Sequence, residues 1–301
     1  MPAAHGSSTD AHRGACTELG FIPPKGSWEV FFAAPPGSLP FGSQLREVEH
    51  VHGDSVTTYN DFARHYDTVI GDRAPVGRYL MALIGKTAPR ARTVLELGCG
   101  SGTMLEFLTR RYRVTGVDNS RAMLAIARRK APRARLVCAD IRALKLSEQF
   151  DVVVCPFDTM NHLATRRDWA AAFRTAREHL KPGGIFIFDV NTHHKLERYR
   201  SEPVELREHA KGFSSVSVRK ARGAHYDVTL SIFVAEGGGL FRRHCMTIKE
   251  RVPSASEIVS QASSHFSRVG IIDPDRGAPA EDSEELFFVC TAHRSGAQKR
   301  G

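Results

Sequence analysis

The most constraining stretch of this chain is Val94-Leu95-Glu96-Leu97-Gly98-Cys99-Gly100-Ser101-Gly102, an apolar strand that runs through three alternating glycines into a helical segment. A backbone without Cβ atoms lets a ligand approach closely, and the free N–H groups of a helix N-terminus favour an anionic part of it. The spacing narrows the choice of ligand. A dinucleotide fingerprint requires Gly-x-Gly-x-x-Gly, and Thr103 stands where its third glycine belongs. Gly-x-Gly-x-Gly preceded by the acid Glu96 suits a ligand with a carboxylate and no pyrophosphate.

Around this turn, short apolar runs alternate with amphipathic ones. Val94 to Leu97, Val114 to Val117, Arg135 to Cys138, Asp151 to Cys155 and Ile185 to Val190 read as strands. Met104 to Arg111, Arg121 to Lys130 and Trp169 to Leu180 read as helices, the last stopped by Lys181-Pro182-Gly183-Gly184. The expectation is an α/β fold, a doubly wound Rossmann-like parallel sheet covered on both faces. Tyr59, Phe62, Tyr66 and Ile70 have helical spacing ahead of it, and Val76 to Ile84 continues in that style. After Asp189 the period changes to two. Ser214 to Arg219, His225 to Ala235 and Leu240 to Lys249, separated by glycine turns, read as a small antiparallel β-meander. Ser254 to Ala262 then reads as a helix, and His265 to Ile272 and Glu285 to Thr291 as strands rejoining the main sheet.

The chain is thus expected to divide into an N-terminal extension (1–55), a core (56–200 and 251–293), a β insertion (201–250) and a basic tail (294–301). The extension is rich in Pro, Gly, Ala and Ser around an aromatic island from Trp28 to Phe32, which reads as loosely ordered chain or a lid.

Composition excludes several classes. No apolar run reaches the roughly 20 residues that span a bilayer, and the N-terminus lacks the pattern of a secretory signal, so a soluble, cytoplasmic protein is expected. The six cysteines are scattered without paired ligand spacing, and no metal is expected. Cys138 and Cys155 lie in apolar runs, where a free cysteine behaves as a small hydrophobe. The net charge of +9 sits largely in arginines spread over helix patterns. These read as solvated faces, and nucleic acid, the alternative partner, is not favoured.

Two further acids support the glycine turn. Asp118 closes the second strand, where a carboxylate can accept the hydroxyls of a ribose or cap the segment at Asn119-Ser120; Asp140 closes the third, within reach of an adenine ring. Three acids at successive strand ends lie where open α/β sheets bind ligands. With these residues, Thr57 to Thr291 resembles the class I S-adenosylmethionine-dependent methyltransferases. Glu96 to Gly102 is similar to that family's first motif, Val117-Asp118 to its ribose acid, and Ala139-Asp140-Ile141 to its adenine contact. The resemblance implies seven strands with the last antiparallel, and S-adenosylmethionine held by Glu96, Gly98, Cys99, Gly100, Gly102, Asp118, Asn119, Met123, Asp140, Ile141, Pro156 and Phe157. The meander, Tyr59 and Tyr66-Asp67 in the first helix, and Glu281-Asp282-Ser283 resemble the small-molecule branch, including glycine N-methyltransferase-like proteins and aminosugar N,N-dimethyltransferases. In the latter a Gly-His-Leu carries the active-site His; here it reads Asn161-His162-Leu163.

The resemblance implies methyl transfer to a small-molecule acceptor at N, O or activated C, in specialised metabolism. RNA or protein acceptors, or cofactor binding without turnover, are the alternatives. His162 is the expected catalytic base, the alternative being a histidine that hydrogen-bonds a loop carbonyl; Asp158 is expected to orient it or the substrate, or else to cap the turn before Thr159. Tyr59 and Tyr66 would close over the cofactor, and Asp189 and His193 would line the substrate pocket. The meander would roof that pocket or make a homodimer contact through its edge.

Overall fold

A computed structural model describes residues 58–237 and 240–294. The expected extension before residue 55 and nearly all of the basic tail lie outside the described residues.

Two helices open the fold, α1 (Tyr59–Ile70) and α2 (Ala74–Thr87). The alternating part follows: β1 (Thr93–Leu97), α3 (Thr103–Leu108), β2 (Arg113–Asp118), α4 (Arg121–Lys130), β3 (Arg135–Cys138) and β4 (Phe150–Cys155). A 3-10 turn (Thr159–His162), α5 (Arg166–Glu178) and β5 (Leu180–Asn191) complete it. Then come α6 (His193–Ser201), β6 (Leu206–His209), β7 (Gly212–Lys220), β8 (His225–Gly237) and β9 (Leu240–Arg251). The chain finishes with α7 (Ala255–Ala262), β10 (Arg268–Ile272) and β11 (Glu285–Thr291).

The main sheet has seven strands in the order β10-β11-β5-β4-β1-β2-β3. β1 to β5 pair in parallel, whereas β11 runs antiparallel to both β5 and β10. All five residues of β1 are buried. Leu95 and Leu97 enter one core with Trp169, Phe173 and Phe188, while Val94 enters the other with Leu83 and Leu105. Burial on both faces is why these strands read as apolar runs instead of alternations.

The second sheet has four strands, β6-β7-β8-β9, all antiparallel. The short strand Leu206–His209 adds to the three expected from alternation; its sequence, Leu-Arg-Glu-His, carries no apolar period. Tyr226, Val228, Leu230 and Met246 face inward, and Phe62 and Val69 of α1 pack against them. Helix α1 therefore sits with an apolar face on the second sheet and its remaining face toward the ends of β1 and β2.

Other differences from the expected elements have local causes. Helix α3 stops at Leu108, short of Arg111, where Thr109 to Arg111 close in turns. Helix α5 starts at Arg166 because Thr165 and Asp168 form a reciprocal capping box ahead of Trp169. Cys155 is fully buried, but Cys138 is exposed on β3, the edge strand. Among the described residues no helix is long and apolar enough to cross a membrane.

A buried amide ties the two sheets together. Asn161 Nδ2 donates to Asn191 O (3.3 Å) and Arg251 O (3.0 Å), and its Oδ1 accepts from Asn191 N (3.0 Å). Asn161→Ala strands these groups, each worth about 1–3 kcal/mol when buried and unsatisfied. Urea denaturation is expected to show a loss of at least about 2 kcal/mol, and an unchanged midpoint would contradict the staple.

Candidate active site

The turn after β1 gains its shape from residues that lack side chains. Gly98, Gly100 and Gly102 all have positive φ (71°, 50° and 84°). At Gly98 a Cβ would lie 2.4 Å from Thr159 Cγ2, so the turn presses directly on the segment that follows β4. At Gly100 a Cβ would meet nothing within 4 Å, because that position faces open space. The N–H groups of Gly98 and Cys99 both donate to Val117 O, tying the turn to β2.

That open space is a cavity of about 290 Å³. Of the residues expected to hold a cofactor, Tyr59, Tyr66, Gly98, Cys99, Gly100, Asp118, Asn119, Met123, Asp140, Ile141 and Phe157 line it, as does His162. Glu96, Gly102 and Pro156 are buried and do not line it. Asp118 is oriented by two backbone donors, Gly100 N to Oδ2 and Ser120 N to Oδ1, both at 2.8 Å. Burial raises its carboxyl above the ordinary value, and the backbone donors oppose that. Glu96 is 1% exposed and neither carboxylate oxygen has a partner; burial pushes its carboxyl well up. Asp140, expected within reach of an adenine ring, lines the cavity with its carboxylate already engaged. Arg142 grips it through Nε (3.0 Å to each oxygen) and Nη2 (2.6 Å), holding its carboxyl below the usual range.

At the other end of the cavity, Tyr59 Oη lies 2.6 Å from His162 Nε2, and Tyr66 stands edge-on to Tyr59. The second ring nitrogen, Nδ1, is 3.0 Å from Asp158 O. A carbonyl only accepts, so Nδ1 carries the hydrogen, which leaves Nε2 as the nitrogen that can accept from the phenol. Burial keeps that phenol protonated by raising it well above 10, and Tyr66 is pushed up to about 12. The Asp158 contact to His162 is thus made by its backbone, not by the carboxylate expected to orient the ring.

Asp189 and His193 do not line this cavity. Asp189 is 2% exposed within β5 and accepts from Asp158 N at 2.8 Å. His193 begins α6, contacts Tyr226 Oη at 3.2 Å, and borders a separate cavity of about 170 Å³ beside the start of α7. An acid from the second sheet bears on the pair. Glu250 of β9 is 2% exposed and accepts from Asn191 Nδ2 at 3.1 Å; its charge also bears on Tyr59.

Polar latches close α1 over the glycine turn, and only part of them is legible in sequence. Asp67 accepts from Ser101 Oγ (2.5 Å) and pairs with Lys130 Nζ (2.6 Å). Asn60 Oδ1 accepts from Ser120 Oγ and Ala122 N. Asn60 and Asp67 are seven apart, as are Tyr59 and Tyr66, so each pair shares a helix face; that stripe was the available signal. Arg73, which stacks over Phe157 at 4.7 Å and also lines the cavity, had none.

Residues 94–184 match the family described as methyltransferase domain. The chain is 35% identical over 108 residues to the dTDP-3-amino-3,4,6-trideoxy-alpha-D-glucopyranose N,N-dimethyltransferase of Streptomyces venezuelae, covering 36% of this chain and 46% of that one. It is 30% identical over 151 residues to the dTDP-4-amino-2,3,4,6-tetradeoxy-D-glucose N,N-dimethyltransferase of Saccharopolyspora spinosa, covering 48% and 61%. The chain spans about half the length of the curated relatives it matches. Among solved structures, an S-adenosylmethionine-dependent methyltransferase from Clostridium acetobutylicum superposes with a TM-score of 0.67 at 24% identity, over 78% of this chain and 99% of that one. An amino pentose methyltransferase from Micromonospora echinaspora gives 0.64 at 22%, over 79% and 99%. At these identities the structural likeness carries the fold.

Glu250 makes the site's stability depend on pH. Burial, then the charge of Asp158, raise its carboxyl from 4.5 to about 8. A carboxyl raised on folding contributes stability on the acid side, which is lost as pH rises through the folded value. The melting temperature of Glu250→Gln is therefore expected to fall less than that of the parent between about pH 6 and about pH 9. Parallel curves would contradict the shift.

Proposed function

We propose that this chain, whose residues 94–184 match the family described as methyltransferase domain, transfers the methyl group of S-adenosylmethionine to the amine of a small molecule, an amino sugar by its relatives. The reading rests on one observation: a single cavity runs from the bare backbone of Gly100 and the fixed Asp118 to the Tyr59–His162 pair.

The residues present suit that cofactor. Each Asp118 oxygen has one backbone donor and a lone pair to spare for a ribose hydroxyl. Glu96, buried behind the turn with both oxygens unpartnered, keeps unused hydrogen-bonding capacity on the side of the turn where a methionine moiety would lie. Gly100 leaves room for the ligand, and Ile141 and Met123 give an apolar lining suited to a purine. When bound, the cofactor supplies a methyl group already activated on a sulfonium, so the protein's work is alignment and exclusion of water.

An amine arrives largely as its ammonium and must lose a proton before it can attack. Nε2 of His162 is the basic atom that faces the cavity end, and the Tyr59 hydroxyl covers it until an acceptor N–H takes that place. Nδ1 stays on the Asp158 carbonyl throughout, which holds the ring in one orientation. The charge of Asp158 biases the surroundings of Tyr59 toward a cation. The names of the relatives, N,N-dimethyltransferases of amino sugars, support an amine over a hydroxyl or carboxyl acceptor.

The test is a panel of nucleotide-linked amino sugars and their hydroxyl analogues, read as release of demethylated cofactor. Turnover is expected with amines alone. His162→Ala is expected to bind cofactor as the parent does and to lose about 10²-fold or more in kcat. Unimpaired methylation by this variant, or turnover of hydroxyl analogues only, would overturn the proposal.

A further inference from the structure

We infer that Asp189 is a positioning residue: it holds the Phe157–Asp158 dipeptide in its left-handed conformation and, through that dipeptide, fixes which nitrogen of His162 carries the hydrogen. The role deepens the reading of His162 given above and rests on it.

Phe157 (φ 60°) and Asp158 (φ 50°) are the only non-glycine residues with positive φ among the described residues, and they are adjacent. A left-handed backbone costs such residues about 1 kcal/mol or more each, and persists only where surrounding contacts impose it. The contact at this point is specific. Asp158 N–H donates to Asp189 Oδ2 at 2.8 Å, across from the tip of β4 to β5. The carbonyl of the same residue accepts from His162 Nδ1 at 3.0 Å. Asp158 is thus gripped at its N–H by Asp189 and grips His162 with its C=O. Turning either peptide out of the left-handed region removes the only acceptor seen for Nδ1. The Nε2–Tyr59 bond of 2.6 Å then no longer has a fixed tautomer behind it.

The alternative role, an acid that attracts the acceptor by charge, does not suit the environment of Asp189. It is 2% exposed, lies opposite Phe287 in the sheet, and lines neither cavity. Burial first, then Glu285 and Asp158, push its carboxyl well above the usual range, which disfavours the anion that attraction by charge would need. What Asp158 needs from it is an acceptor oxygen, and a neutral carboxyl has one. An asparagine side chain keeps that oxygen, while alanine removes it.

The two roles separate in three variants of the full chain loaded with demethylated cofactor. Nitrogen-15 NMR of labelled histidine reads the His162 ring, identified by its loss in His162→Ala. The parent and Asp189→Asn are expected to show one neutral tautomer with hydrogen on Nδ1, and Asp189→Ala a mixture. In the amine assay, kcat of Asp189→Ala is expected to fall about tenfold or more with the cofactor KM within about twofold, and Asp189→Asn to restore it. If the alanine variant does not fold, Asp189→Leu fills its volume without an acceptor and carries the same expectation. An unchanged tautomer in Asp189→Ala or Asp189→Leu, or an Asp189→Asn variant as impaired as either, overturns the inference. The tautomer is read without any methyl acceptor, so a failed acceptor panel with the expected spectra would sink the amine reading and leave this one standing.

Discussion

The site is registered by the contact between Gly98 and Thr159. With no Cβ at Gly98, the turn after β1 lies against the segment after β4, and any side chain there would fall 2.4 Å from a methyl group. That contact brings two strand ends together, and each end carries one half of the proposed site. The β1 side brings Gly100 and, through Val117, the β2 end with Asp118. The β4 side brings the strained Phe157–Asp158 pair and His162. Parallel pairing of β1 with both β2 and β4 delivers all of them to one edge of the sheet, the edge at which open α/β sheets bind ligands.

Helix α1 then closes what the sheet begins. Phe62 and Val69 bury their side chains against the inner face of the second sheet, while Asn60 and Asp67 reach the turns of the first. The helix is thus shared between two layers, and its tyrosines stand where the layers meet. Burial keeps both phenols protonated, so Tyr59 can cover His162 Nε2 without contributing a charge. Asn161, one residue before the histidine, locks β5 and β9 together behind it. The staple and the proposed base therefore occupy consecutive residues of one short turn.

Much of the fold was legible because its signals are local. The glycine turn, Asp118 at the end of β2 and the alternation of apolar runs with amphipathic helices each lie within a few residues of sequence, and the seven-stranded sheet follows from them. The second sheet was legible from its period of two, except for β6, which has no apolar alternation to betray it. Long-range polar pairing was not legible. Asp189 and Asp158 are 31 positions apart and Tyr59 and His162 are 103 apart, and nothing in either neighbourhood names its partner. Glu250 continues the inward face that Met246 and Ile248 set on β9, so the period of two places an acid in the core without saying why. Asp140 was legible as a strand-end acid, but Arg142, two residues on, takes its carboxylate.

The central claim is that the cavity between the glycine turn and the Tyr59–His162 pair holds S-adenosylmethionine, and calorimetric titration with its demethylated product tests it most directly. The expected result is saturable binding of one equivalent, strongly weakened in Asp118→Ala, and no heat with NAD or NADP. Absence of binding by the demethylated product, or saturable binding of a dinucleotide in its place, would contradict the claim.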